Sequence, residues 1–111
     1  MNITKTDQLG PDLGALLSLQ AQVPAGEWRL VSDAAQVIAC YLACHPGVAR
    51  VRYPGLTSDT DYREASSTLR GGFGPQVDVL LADGTHFRVV ASADDAKEQV
   101  MQLEAFLAEH K

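Results

Sequence analysis

The sequence predicts an α+β domain with a small three-stranded sheet, antiparallel or mixed. Helices pack on this sheet and form a two-layer sandwich with it. Alternating apolar residues flank Asp83-Gly84, which indicates a β-hairpin. Apolar residues at helical spacing mark segments before and after that hairpin. The chain has 111 residues, of which 46% are hydrophobic and 21% charged. This length and composition are typical of one globular domain with its own core.

We predict that residues 1–111 form one domain, with an N-terminal helix and its connection over about 10–31 and an α/β core over 32–111. The first helix begins at Gly10-Pro11, since proline is favoured in the first helical turn, and Pro24-Ala25-Gly26 ends it. Ser32 and Asp33 are then candidate caps for a second helix, Ala34 to Cys44. That helix is apolar on nearly all sides, so we expect it to be buried.

The next element is a strand from Val48 to Tyr53, which Pro54-Gly55 ends. Alternation predicts that it presents Ala49, Val51 and Tyr53 on one face and Arg50 and Arg52 on the other. A short helix then runs to Leu69, with Ser58 and Asp61 spaced as a capping box. Gly71-Gly72 ends that helix.

The register of the hairpin can be argued from its loop. A two-residue turn at Asp83-Gly84 divides the apolar residues between both faces of the hairpin. A three-residue loop with Gly84 in the left-handed conformation gathers them on one face, and we predict this loop for that reason. It also places Asp78 opposite Arg88, as a surface ion pair worth roughly 0–1 kcal/mol. An amphipathic helix beginning after Ser92 closes the domain.

Charge and cysteine content narrow the classes of partner and compartment. The net charge of −5 argues against nucleic acids and anionic membranes, which need clustered basic residues. No apolar run reaches the length of a membrane span, and the N-terminus lacks the apolar core of a secretion signal. We therefore expect a cytoplasmic protein that binds neither nucleic acid nor membrane. Cys40 and Cys44 lie one helical turn apart, and we expect both to be reduced, buried and structural, without a metal.

One segment carries a family signature. Residues 45–56 read H-P-G-V-A-R-V-R-Y-P-G-L, which closely resembles a block in the C-terminal small domain of the cystathionine γ-synthase group. These are the enzymes of Cys/Met metabolism that depend on pyridoxal phosphate (PLP). Weaker similarities follow in the same order along the chain, at Leu13 to Ser18, Asp33 to Ala39, Arg70 to Gly74 and Phe87 to Asp95. The resemblance implies the fold of that small domain, without the PLP-binding large domain.

The departures from the family pattern bear on catalysis. The resemblance assigns the PLP Schiff base to a lysine of the large domain, and Lys5, Lys97 and Lys111 all lack that lysine's sequence context. Residues 58–62, S-D-T-D-Y, lack both histidines of the family's S-H-P-x-H segment. PLP chemistry needs an oriented cofactor ring and an imine. We therefore expect no catalytic residue, no bound metal, no covalently held PLP and no transsulfuration activity from this chain alone.

Four residues are candidates for binding a small carboxylate. Arg88 aligns with the arginine that, by the resemblance, binds the substrate α-carboxylate, and a guanidinium fork suits that role. Arg50, Arg52 and His86 could extend the same face. The alternative is that Asp78 occupies the fork of Arg88 and that the other side chains form a solvated sheet face.

Three functional hypotheses remain at this stage. The first is a non-catalytic interaction or regulatory module that forms a homodimer or binds a protein partner. Leu13, Leu16, Leu17 and Trp28 are the surface we expect it to use. The second is a binder that holds an amino-acid carboxylate through Arg88. The third is a small enzyme of unrelated chemistry, and no motif in the sequence supports it.

Overall fold

A computed structural model describes residues 1–7, 9–10 and 12–109. The elements in this part of the chain, in order, are β1 (Asn2–Lys5), α1 (Leu13–Gln22), α2 (Ala25–Ala43), β2 (Val48–Arg52), α3 (Tyr62–Thr68), β3 (Gln76–Leu81), β4 (His86–Val90) and α4 (Ala96–Glu109). The α+β class agrees with the sequence analysis.

The sheet has four strands, all antiparallel, in the order β1-β4-β3-β2. The expectation of three strands is wrong because β1 joins as an edge strand, with Ile3 opposite Val89. Its four residues contain one apolar side chain, Ile3, which packs against the core. Such a short segment has no alternating pattern, and only its partner strand defines it as a strand.

The β3–β4 hairpin has the predicted three-residue loop. Leu81 N donates to Thr85 O (2.9 Å), and Gly84 adopts a φ of 91° in the left-handed region. Asp78 lies opposite Arg88 and Val79 opposite Phe87. The apolar residues of both strands are thereby buried on one face of the sheet.

Strand β2 contains a bulge that alternation did not reveal. Val48 lies opposite Leu81 while Arg50 lies opposite Leu80, so Ala49 is an extra residue in β2. Val48 and Val51 pack on the core and Ala49 is exposed, which reverses the expectation that Ala49 faces inward. A bulge leaves its extra residue outside the ladder and turns the side chains on one side of it.

Helix α2 begins nine residues earlier than expected, at Ala25 and not at Ala34. Pro24 is its N-cap and accepts from Trp28 N (2.9 Å), so the Pro24-Ala25-Gly26 segment starts this helix as well as ending α1. Ser32 lies inside the helix, where its hydroxyl accepts from Gly74 N (3.0 Å). Helix α2 therefore crosses the boundary at residue 32 between the two predicted parts of the domain.

Two apolar clusters form the interior. The sheet cluster lies between one face of the sheet and the helices α2 and α4, and it includes Ile38, Leu42, Val77 and Leu103. The Trp28 cluster joins α1, α2 and α3 and contains Leu16, Trp28, Ala65 and Leu69. Pro11, which the sequence analysis placed at the start of α1, lies outside the described residues, and Asp12 caps that helix by accepting from Ala15 N.

The structure also bears on the predictions about the two cysteines and about membrane-spanning helices. Cys40 and Cys44 are free thiols, but both are exposed, so the expectation that they are buried is wrong. Cys40 lies in α2, and Cys44 is the C-cap of that helix. Within the described residues, no helix has the length and apolar character needed to cross a membrane.

Candidate functional site

A row of polar residues crosses the face of the sheet opposite α2 and α4. The strand registers align Thr4 with Arg88, Arg88 with Asp78, and Asp78 with Arg52. This row contains two of the four candidate binding residues. The row has one arginine on each side of an aspartate, of which the sequence analysis predicted only Arg88 opposite Asp78.

The guanidinium of Arg88 is held by Asp78. Arg88 Nε donates to Asp78 Oδ1 (2.8 Å) and Arg88 Nη2 donates to Oδ2 (3.1 Å). The Asp78 side chain is 4% exposed and that of Arg88 is 30% exposed. This hydrogen-bonded ion pair raises the pKa of Arg88. The predicted partnership is confirmed, but Asp78 is buried and the pair is not a surface pair.

Gly10 also contacts the Asp78 side chain of this row. Its backbone N donates to Asp78 Oδ2 (2.9 Å). Gly10 has a φ of 112°, and a Cβ there would lie 2.8 Å from Arg52 Nη1, so a glycine is needed at this close approach. Asp78 thus accepts from one guanidinium and one backbone amide, which together compensate its burial.

Arg52 is held by a different set of acceptors. Its Nε donates to Asp59 Oδ2 (3.0 Å), and its Nη2 donates to Asp59, to Thr60 and to Asp61. Asp59 also accepts from Tyr53 N (3.0 Å), which ties the loop to the end of β2. The hydrogen bond to Asp59 raises the pKa of Arg52. The guanidinium therefore anchors the loop that follows β2.

The other two candidates stand apart from this row. Arg50 is exposed and lies opposite Leu80, one step nearer the bulge. His86 is half-buried and faces the same side of the sheet as Arg88, also opposite Leu80. Of the four predicted residues, the structure places Arg52 and Arg88 on either side of Asp78, and Arg50 and His86 on either side of Leu80.

The signature block of residues 45–56 has a structural explanation. The hydroxyl of Tyr53 is buried and donates toward Gly74 O (2.8 Å) and Ser32 O (3.3 Å). Burial raises the pKa of Tyr53. A Cβ at Gly55 would lie 2.5 Å from Cε2 of the buried Tyr53 ring, so a larger residue there would disturb the packing of that ring. The block holds β2 against α2 and the glycine-rich segment before β3.

A cleft of about 230 Å³ lies beside that contact, and Arg29, Ser32, Asp33, Gln36, Tyr53, Gly71, Gly72 and Phe73 line it. Its polar side chains are already engaged within the chain. Arg29 pairs with Asp33 at 3.6 Å, and the hydroxyls of Ser32 and Tyr53 are bonded to backbone groups. Among the described residues, the Gln36 side chain donates only to Cys40 Sγ (3.9 Å), and Arg29 and Asp33 remain exposed to solvent.

Sequence reasoning did not identify the acceptors of Arg52 or the role of Gly10. The Pro54-Gly55 turn, followed by Asp59 and Asp61, was the available signal, because a tight turn returns acidic residues to the end of the strand. Gly10 lies 68 residues from Asp78 in sequence, and no local pattern predicts their contact. The described residues contain no group of three or more His, Cys, Asp or Glu side chains that could hold a metal ion.

Comparisons with known proteins agree on one group of enzymes. Over 50 residues the chain is 44% identical to a probable cystathionine gamma-synthase of Herpetosiphon aurantiacus. These 50 residues are 45% of this chain and 15% of that protein. The cystathionine gamma synthase of Xanthomonas oryzae superposes on 75% of this chain with a TM-score of 0.67 and 17% identity. A Campylobacter jejuni structure assigned as O-acetylhomoserine (thiol)-lyase covers 76% of the chain, with a TM-score of 0.67 and 14% identity.

No family model matches the chain. The chain spans 34% of the Xanthomonas oryzae enzyme and 29% of the Campylobacter jejuni protein, so it corresponds to a part of either molecule. The signature block, the sheet topology and these superpositions point in the same direction. The chain resembles the C-terminal small domain of the PLP-dependent enzymes of Cys/Met metabolism, the group of cystathionine gamma-synthase.

Proposed function

We propose that this chain is a non-catalytic interaction module built on the scaffold of a transsulfuration-enzyme small domain. The observation that supports this proposal best is the ion pair of Arg88 with Asp78. The arginine that the resemblance implies for substrate binding holds a buried carboxylate of its own chain. A substrate carboxylate has to compete with that internal partner.

The free energy lost with the Arg88–Asp78 ion pair, compared with that gained on ligand binding, makes this competition unfavourable for the ligand. Breaking this ion pair should cost about 2 kcal/mol, less than for a fully buried pair because Arg88 still reaches water. A ligand with a dissociation constant near 1 mM gains only about 4 kcal/mol in total. Displacement of Asp78 would also break the hydrogen bond from Gly10 N, which costs more. Amino acids at cellular concentrations therefore gain little from Arg88.

The surface for a partner differs from the one that the sequence predicts. Leu16 and Trp28 are each 1% exposed and belong to the Trp28 cluster, so they cannot serve as a docking surface. Leu30 and Val37 of α2 are 55% and 47% exposed, and they lie seven residues apart on its outer face. Leu17 and Met101 are also exposed. We propose that α2 contributes the apolar part of a homodimer or hetero-complex interface.

Two measurements test this function together. Calorimetric titration with PLP, cystathionine, methionine and homoserine should give flat traces. Light scattering over a range of concentrations should show a mass rising from 11.9 kDa toward twice that value. Leu30→Gln should weaken this association, while Met101→Gln on α4 serves as the control. Monomer at every concentration, together with heat on adding an amino acid, would overturn the proposal.

A second candidate is a binder of small carboxylates, and one observation favours it. The pair with Asp78 uses Nε and Nη2 of Arg88, so Nη1 on this partly exposed side chain is not engaged by Asp78. Methionine should then raise the melting temperature of the wild type and not that of Arg88→Lys, which keeps the charge but loses the fork. An equal rise in both proteins would show that Arg88 is not the site.

A further inference from the structure

A second cleft, of about 220 Å³, opens along the free edge of β2, and its lining consists of Ala43, Val48, Ala49, Arg50, Val51, Leu56 and Ser58. Five of the seven lining residues are apolar, but most of the surface exposed in the cleft is polar, and Arg50 and Ser58 supply the polar side chains. It lies apart from the row of Arg52, Asp78 and Arg88.

Part of the backbone beside this cleft is available for pairing, between Val48, whose N donates to His45 O, and Tyr53, whose N donates to Asp59 Oδ2. Strand β2 is the last strand of the sheet and pairs only with β3 among the described elements. The edge of a sheet presents unpaired N–H and C=O groups that can accept a further strand. Ala49 and Arg50 are exposed, and the bulge at Ala49 leaves that residue outside the β2–β3 ladder. The accessible edge is therefore short, about three residues.

The two polar side chains at the cleft have no partner within the described part of the chain. Arg29, Arg52 and Arg88 form ion pairs among the described residues, whereas Arg50 forms none, as is also true of Arg63 and Arg70. No hydrogen bond engages the Ser58 hydroxyl among the same residues. In the cleft next to Tyr53, by contrast, the polar groups are bonded within the chain. The β2 cleft thus joins an uncompensated cation and a hydroxyl to an open strand edge.

We propose that this cleft binds a short, extended, acidic segment of a partner protein, with an Asp or Glu carboxylate on Arg50 and Ser58. The neighbouring apolar side chain of that segment would lie on Val48, Val51 and Leu56. This proposal rests on the interaction module proposed above and names the chemistry of its partner. Charge complementarity is the main argument for an acidic segment, because a guanidinium prefers a carboxylate with which it can form two hydrogen bonds.

The other occupants fit less well. Ligand pockets for whole metabolites usually measure about 300–1,000 Å³, so a cleft of about 220 Å³ suits one or two side chains better. A second copy of this chain that paired symmetrically through β2 would bring Arg50 toward its own counterpart. Like charges directly opposite each other destabilise strand pairing. A segment from a different chain avoids this repulsion.

The test is an NMR titration of the ¹⁵N-labelled protein with the peptide acetyl-Thr-Val-Asp-Val-Thr-amide. Amide shifts should saturate at residues 48–51 and 56–58. The same peptide with Asn in place of Asp should bind at least about tenfold more weakly. Arg50→Gln should weaken binding of the Asp peptide by a similar factor, and Arg63→Gln, a change of another exposed arginine, should leave it unchanged. Since Arg50 is exposed, its variant keeps the folded spectrum.

Several outcomes would overturn the proposal. Absence of shifts at the cleft, or equal affinity of the Asp and Asn peptides, removes it. Sodium acetate that reproduces the saturating shifts shows a site for small anions instead. Shifts at residues 48–51 that follow the concentration of the protein alone identify a second copy as the occupant. Methionine that shifts residues 78 and 88 contradicts the interaction module itself, and this readout lies away from the cleft.

Discussion

Arg88 and Asp78 face each other across the β3–β4 hairpin, and the burial of Asp78 sets how strongly the protein depends on their ion pair. The exposed pair of Arg29 and Asp33 offers a comparison within the same chain, since its side chains are 67% and 69% exposed. Exposed pairs contribute little because water and salt screen both charges. A buried carboxylate that loses its charge leaves the arginine uncompensated.

We predict that Asp78→Asn lowers the free energy of unfolding by about 2 kcal/mol, between the values for exposed and buried pairs because Arg88 still reaches water. Asp33→Asn makes the same chemical change at the exposed pair and should cost less than about 0.5 kcal/mol. Urea denaturation at neutral pH measures both. Equal losses in the two variants would contradict the assignment of Asp78 as a buried anchor.

The raised pKa of Tyr53 predicts a loss of stability at alkaline pH. Burial disfavours the phenolate in the folded protein, so the stabilisation is complete below the ordinary tyrosine pKa near 10 and decreases as the pH rises above it. The decrease should add about 1.4 kcal/mol per pH unit to the slope of unfolding free energy. Tyr53→Phe should lose this contribution and, without the two hydrogen bonds, be about 1 kcal/mol less stable at pH 7.

Urea denaturation between pH 8 and pH 11 checks this prediction. Tyr62→Phe is the control, because it removes the hydroxyl of another tyrosine, whose ring stacks on Phe73. A slope that is unchanged in Tyr53→Phe would show that another group causes the alkaline loss.

The glycine-rich segment before β3 shows how elements are joined. Gly71 and Gly72 both have positive φ, 74° and 139°. A Cβ at Gly72 would lie 2.3 Å from the Cβ of Ser32, whereas nothing lies within 4 Å of a Cβ at Gly71. Gly72 also accepts from Trp28 Nε1 (3.2 Å) through its carbonyl oxygen. The segment therefore packs directly on α2 at Gly72, whereas Gly71 has open space around it.

We predict that Gly72→Ala costs about 3 kcal/mol, from the clash with the helix together with the backbone strain. Gly71→Ala should cost only about 1 kcal/mol, which is the strain alone. Thermal or urea unfolding of the two neighbouring variants separates these effects. If Gly71→Ala proves as costly as Gly72→Ala, close packing on α2 is not what selects glycine at residue 72.

The start of α2 and the bulge of β2 illustrate what element-scale patterns miss. Ser32 and Asp33 have the composition of a helix cap, yet Ser32 serves as an acceptor inside a helix that began at Ala25. Ala49 continues the alternation of β2, yet its strand pairing leaves it outside. In both places a contact with a distant element overrides the local preference.

At the scale of the whole molecule, α2 connects the two clusters. It supplies Trp28 to the Trp28 cluster and Ile38 and Leu42 to the sheet cluster. A helix of 19 residues that is anchored at both ends cannot leave one cluster without disturbing the other. The domain should therefore unfold as one cooperative unit.

Leu16→Ala and Ile38→Ala test this cooperativity, one from each cluster. Each should cost about 3 kcal/mol, as deletions of fully buried side chains do. Fluorescence of Trp28, the one tryptophan in the sequence, reports on its own cluster, and far-UV circular dichroism reports on all elements. The two transitions should coincide in both variants. A Leu16→Ala protein in which fluorescence changes at lower urea than dichroism would show that the Trp28 cluster unfolds separately.

The sequence by itself determined the α+β class, the hairpin with its register, the partnership of Arg88 with Asp78 and the resemblance to the small domain. Each of these depends on neighbours within a few residues or on a contiguous motif. Only the tertiary structure decided that a fourth strand completes the sheet, that Asp78 is buried beneath Gly10, and that both cysteines are exposed. These depend on contacts between distant segments and on burial, which local periodicity does not encode.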